Sequence, residues 1–311
     1  MTVKIITDST SDLPPELARA LDITVVPAYI IFGGRTYRDG VDISSDELYQ
    51  KITEDDITIT TSQPAPGDFA QVYRRLLKEA DGLFSIQVTS RLSGVYNSAL
   101  QAREMVGAKG RIEVFDSEST SMGLGLMALA VARAAKSGSS LAGVLAEALR
   151  ARSGTHLWGM FDTLKYVLKG GRLGRARNMI SSIINVKPML TMKTGVINPT
   201  GFARTRVKGI EKLLDNLKNY SNIKEVGIAH STNPEEAHSL RSRLSSLIDG
   251  NHIHVSRLGA ALGVHGGPGT LVLAIRENAA ETAGEATEQE RVRKTLTLPT
   301  LHLPKLNLSS H

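Results

Sequence analysis

Apolar and polar positions along the first 152 residues alternate between two rhythms, short β-rich runs and stretches of helical length. Val3–Thr7 reads as a strand. The DSTSDLPPELARAL that follows predicts a helix opening at the proline pair, capped by Ser11 or Asp12. Val25–Phe32 reads as one buried strand. Ser44 with Glu47 three residues on is a capping-box pattern, opening a helix through Ile52. Thr58–Thr61, Gly82–Thr89 and Arg111–Phe115 read as strands. Pro66–Lys78, Ser93–Met105, Ser121–Lys136 and Leu141–Arg150 read as helices. Strands separated by helices of this length imply βαβ units and a mainly parallel sheet.

Beyond residue 153 the rhythm changes. Thr155–Phe161, Val186–Met192, Glu225–His230, His252–Ser256 and Thr270–Ile275 predict strands. Thr163–Leu168, Arg175–Ile184, Val207–Tyr220 and Pro234–Ile248 predict helices, the first two flanking the glycine-rich KGGRLGR. The expectation is a two-domain α/β protein. An N-terminal mainly parallel domain covers 1–153, a C-terminal α+β layered domain covers 154–280, and a flexible tail covers 281–311.

Composition narrows the chemistry. The 311 residues include no cysteine, which excludes disulfides, thiolate catalysis and Cys-ligated metals. No signal-peptide pattern opens the chain, and the longest apolar run, Met122–Ala132, is too short for a bilayer span. A cytoplasmic protein is expected. The net charge of +6 is uneven: −3 over residues 1–152, +9 over 153–280 and 0 over the rest. A basic half suits an acidic partner or an anionic surface. No helix-turn-helix or RNP-like aromatic pattern accompanies it, so nucleic acid is not expected.

Standard catalytic signatures are missing, including GxxxxGK[ST], HExxH, GxSxG and an early GxGxxG. The histidines lack metal-ligand spacing, with His252 and His254 read as alternate residues on one strand face, so no metal is expected. Four expected strands run into Ser/Thr-rich turns, at residues 7–11, 60–64, 89–94 and 116–119. At the carboxyl edge of a parallel sheet such turns would gather hydroxyls and helix N-terminal amides, a setting for an oxyanion. Each hydroxyl could equally cap the next helix.

DSTSDL at 8–13, TSQP at 61–64, LSGVYNSA at 92–99, LKGGRLG at 168–174, KPML at 187–190 and GVHGGPG at 263–269 occur in this order. In these motifs the chain resembles the DegV family, the lipid-binding subunits of bacterial fatty acid kinase. The resemblance covers residues 3–278. It implies a long-chain fatty acid held in a buried tunnel, its carboxylate bound by Thr61 and Ser93. Ser62, the Gly94 N–H and His265 are further expected donors. It also implies docking of a separate kinase subunit at Arg172 and Arg204, with Arg206 as the alternative to Arg204. No cofactor is expected on this chain, since ATP and Mg²⁺ would sit on the kinase. The acyl phosphate would pass toward phospholipid synthesis, with transient membrane contact. The aliphatic segments Ile180–Val186 and Met122–Val131 are candidate tunnel walls. The competing expectation is an acyl- or phosphoryl-transfer enzyme using a Ser/His pair.

Overall fold

The computed structural model describes residues 1–54, 58–108, 110–172 and 186–277. The expected helix 175–184, most of the 180–186 wall and the tail 281–311 lie outside these. The first half runs β1 (Val3–Asp8), α1 (Pro15–Ala20), β2 (Ile23–Val26), β3 (Tyr29–Phe32), β4 (Arg35–Arg38), α2 (Ser45–Glu54) and β5 (Thr60–Ser62). It continues with α3 (Pro66–Leu76), β6 (Gly82–Gln87), α4 (Val95–Val106), β7 (Ile112–Asp116), α5 (Ser121–Lys136) and α6 (Leu141–Ser153). The second half runs β8 (Thr155–Met160), α7 (Lys165–Lys169), β9 (Lys187–Lys193), β10 (Val196–Ala203) and α8 (Arg206–Leu217). It ends with β11 (Ile223–His230), α9 (Pro234–Leu244), β12 (Ile253–Arg257), α10 (Ala260–Gly266) and β13 (Leu271–Glu277).

The described residues form three sheets. The first, β2-β1-β6-β7, is wholly parallel, as the alternation of strands and helices predicts. The second, β10-β9-β8-β13-β11-β12, is antiparallel except for the β11–β12 pair. The third is small and antiparallel, β4-β3-β5. The architecture is therefore mixed α/β, one half mainly parallel and the other layered α+β.

Several expectations need correction. Val25–Phe32 is two strands in two different sheets, because Pro27 has no N–H to continue a ladder. Neither Ser11 nor Asp12 caps α1, whose cap position is Pro14. Asp12 instead turns inward with φ +50° and is buried. His252 lies in a 3₁₀ turn, so it does not share a strand face with His254. The strands β4 and β10 and the helix α10 were not expected. The capping box at Ser44 forms as read: Ser44 N–H donates to Glu47 Oε2 at 2.8 Å, and Glu47 N–H donates to Ser44 Oγ at 3.2 Å.

α5 ties the first two sheets together. Its residues Ser121–Ala132 are all buried, so it is apolar on every side, as a core helix must be. It packs on β1 and β6 of the first sheet and on β8, β11 and β13 of the second. Small residues allow the close approach. A Cβ on Gly125 would sit 2.6 Å from the Ser11 carbonyl oxygen, and one on Gly227 of β11 would sit 2.7 Å from Met122 Cβ. At its far end Arg133 joins Glu225, a buried carboxylate on β11.

Candidate ligand-binding site

The carboxyl ends of β1, β6 and β7 share one edge of the parallel sheet, and three of the four hydroxyl-rich turns stand there. The fourth does not. Thr61 and Ser62 arrive on β5, where Thr61 pairs with Ile30 and Ser62 with Tyr29. That small sheet packs Ile30, Phe32 and Ile59 against Ala260 and Val264 of α10, which sets Thr61 beside the helix.

Most of the hydroxyls knit the turns to one another. Thr10 Oγ1 donates to Asp8 at 2.5 Å, Ser9 Oγ accepts from Ala28 N–H, Thr89 Oγ1 donates to the Gly195 carbonyl, and Ser117 Oγ donates to the Ser119 carbonyl. Thr61, Ser62 and Ser93, together with Thr10, line a cavity of about 1110 Å³, counting its open mouth. Ser93 closes the turn after β6: its N–H donates to the Thr89 carbonyl, and its Oγ accepts from Val95 N–H at 3.4 Å. This spends an acceptor lone pair and leaves the Ser93 hydroxyl proton for a ligand.

α10 forms one side of the cavity. Leu258, Ala261, Leu262, His265 and Gly266 face it, a stripe at the i, i+3, i+4, i+7 spacing of a helix. The N-terminal end of α10 is held by two buried carboxylates, since Gly259 N–H donates to Asp12 at 2.8 Å and Ala260 N–H donates to Asp39 at 3.1 Å. At its other end His265 Nε2 lies 2.8 Å from Thr61 Oγ1. A rise of about 1.5 Å per residue separates the two ends by roughly 9 Å.

Burial, with the Arg172 guanidinium nearby, pushes the His265 imidazole down to about 4, so it is neutral at neutral pH. In the tautomer carrying the proton on Nε2, His265 donates to Thr61 and frees the Thr61 O–H for a ligand. The arrangement offers hydroxyl donors to an anion, with Arg172 on the cavity wall as the one cation among the described residues. The remaining wall is mainly aliphatic, including Val95, Val167, Leu190 and Ile197.

Thr61, Ser62, Ser93, His265 and Arg172 thus meet in one cavity. Gly94 is not among the lining residues and sits under the Gln63 amide, where a Cβ on it would be 3.1 Å from that side chain. Arg204 is exposed and does not line the cavity. Arg206 is occupied, donating to Glu236, Asp162 and the Gly269 carbonyl. Arg175 and Arg177 of the basic run lie outside the described residues. Among those described, no cluster of three or more His, Cys, Asp or Glu could hold a metal, and no helix is long and apolar enough to cross a membrane.

The family model described as an uncharacterised protein of the DegV family matches residues 2–278. The chain belongs to the DegV family. A DegV domain-containing protein of Caldanaerobacter subterraneus is 36% identical over 269 residues, covering 86% of this chain and 95% of its own length. A DegV family protein of Thermus thermophilus, solved for its fatty acid binding, superposes with a TM-score of 0.83 at 34% identity, covering 89% of this chain and all of the other. DegV of Bacillus subtilis, a fatty acid binding protein, superposes with a TM-score of 0.79 at 30% identity, covering 89% and 99%. The cavity of this DegV chain was only partly legible in its sequence. The α10 stripe is present in LGAALGVHG, but its glycines read as a loop.

Proposed function

We propose that this DegV protein binds a long-chain fatty acid, its carboxylate on Thr61, Ser62, Ser93 and His265 and its chain in the aliphatic cavity. The observation that supports this most is that Thr61 and a neutral His265, in contact with each other, share with Ser62 and Ser93 a cavity whose remaining wall is mainly aliphatic. At about 0.8 kcal/mol per buried methylene, roughly fifteen methylenes contribute a gross gain of about 12 kcal/mol. The head group then orients the acid more than it holds it.

The protein presents that carboxylate to a separate ATP-dependent kinase and carries the acyl phosphate toward phospholipid synthesis. It is not catalytic alone, and it works in the cytoplasm, touching the membrane surface when lipid is exchanged. Hydroxyl donors leave a carboxylate oxygen free of a tight ion pair and able to accept a phosphoryl group. Arg172, exposed and on the cavity wall, is the docking group, with Arg204 as a second contact.

Mass spectrometry of the protein, native and then denatured and extracted, tests the binding. A stoichiometric fatty acid is expected in the wild type. Thr61→Val and Ser93→Ala are each expected to weaken binding about 10- to 100-fold, the loss of a hydrogen bond to a charged group. Wild type that takes up no fatty acid from a panel would refute the reading. For docking, Arg172→Ala is expected to keep its lipid and lose affinity for the kinase by calorimetry. Equal affinity for both forms would remove Arg172 from that role.

A further inference from the structure

A second, smaller cavity borders the first. Leu157 and Met192 line both. The smaller pocket is polar, with Ser117, Ser119, Thr155 and Thr194 on its walls and an ion pair between Arg152 and Glu118 at 3.4 Å. β8 and β9 pair antiparallel with Gly159 opposite Leu190. Continuing that ladder sets Leu157 opposite Met192, on the same face, because alternate residues of a strand share a face. Trp158 and Met160, on the other face of β8, enter the core of the second sheet. The two side chains are therefore neighbours in one partition, with aliphatic walls on one side and hydroxyls and charges on the other.

The partition lies toward the N-terminal end of α10, away from Thr61 and His265. A Cβ on Gly123 would be 3.5 Å from Leu157 Cδ1, so Leu157 packs on the first turn of α5. The same turn carries Ser121, whose hydroxyl is 2.5 Å from Asp12, the carboxylate at the N-terminal end of α10. Thr61 and His265 are at the opposite end of that helix.

We propose that Leu157 and Met192 are the specificity residues that set the longest acyl chain the cavity accepts. This rests on the fatty acid reading above. The terminal methyl group meets these side chains, and a longer chain would have to displace them into a pocket of hydroxyls and charges, where burying apolar atoms gains little. Truncating either one joins the two cavities. Enlarging one shortens the path.

The test is competition binding of a graded series of straight-chain saturated acids to wild type, Met192→Ala and Met192→Phe. Ile197→Ala serves as a comparison, since Ile197 lines the main cavity but not the polar pocket. At about 1.3 Å per methylene, the optimum is expected to lengthen by about two to four carbons in Met192→Ala. It should shorten in Met192→Phe and stay put in Ile197→Ala. Leu157→Val, a milder truncation of the same wall, replaces Met192→Ala if that variant fails to fold. An unchanged optimum in folded wall variants, with wild type still binding fatty acid, overturns the partition and leaves the fatty acid reading intact. The same lengthening in Ile197→Ala would also overturn it, because volume anywhere would then suffice. Wild type that binds no acid of any length removes both.

Discussion

Replacing Glu225 by alanine is expected to destabilise the protein by about 3–5 kcal/mol, the usual cost of removing one partner from a buried charge group. Glu225 is 1% exposed. Its Oε2 accepts from Arg276 Nε at 3.0 Å and Nη2 at 2.6 Å, and its Oε1 accepts from Arg133 Nη1 at 2.5 Å. His254 Nε2 stands 3.4 Å from the same Oε1. Burial alone would raise this carboxyl, but the His254 hydrogen bond and the two guanidinium groups outweigh it and hold it at about 2. Without Glu225, Arg276 stays buried with its nearest carboxylate, Glu147, 3.9 Å away. Urea unfolding at neutral pH measures the loss. Replacing Glu225 and Arg276 together by apolar residues of similar volume should cost much less than Glu225→Ala, since no charge is then stranded. A lowered folded-state value means that the contribution is present above the unfolded value near 4.5 and is lost as pH falls toward 2. A Glu225→Ala protein as stable as wild type at pH 7 would show that the network contributes nothing.

The second large effect has the opposite sign. Asp12→Asn is expected to stabilise the protein at alkaline pH, by about 2–4 kcal/mol, and to change little near pH 4 or below. Asp12 is buried without a cationic partner, and burial pushes its carboxyl up to about 8, against the hydrogen bonds from Ser121 and Gly259 and with the help of Asp39 and Asp8. Asp8 and Asp39 are raised in the same way. The folded protein therefore holds a proton that the unfolded chain releases near 4. Stability falls as pH rises from about 4 to about 8, and the full cost is reached above that. Asparagine reproduces the protonated form: Nδ2–H donates to Ser121 Oγ while Oδ1 accepts from Gly259 N–H. Melting temperatures across pH 5 to 9 check it. Parallel curves for the two proteins would show that Asp12 is ionised throughout.

These two carboxylates also show what a sequence discloses. α5 is readable to its ends, because a run of small and apolar residues closed by Arg133 and Lys136 has few other uses. The Ser44 capping box is readable because both of its groups are local. Asp12 looked like a cap for the same local reason, yet its partners are Ser121 and Gly259, 109 and 247 residues away. α10 was hidden by its glycines and exists because Asp12, Asp39 and the small sheet hold it. β10 was hidden by Pro199, where the ladder shifts register at a bulge on an edge strand, a position that tolerates proline. The hydroxyl-rich turns suit an anion or a helix cap equally in the sequence, and which hydroxyls face the cavity is set by strand pairing. The Thr61–His265 contact spans 204 residues. Family resemblance placed both residues at the head group, whereas local pattern could not bring them together.

The burial of α5 between two sheets has a consequence for how the protein comes apart. Neither sheet can shed the helix without exposing the residues from Ser121 to Ala132 that the other sheet also covers. Loss of one sheet therefore removes half of the packing that orders the helix, and with it the support of the other. Denaturation of the two sheets should proceed as one cooperative event, with amide exchange in β1 and in β13 governed by the same global opening.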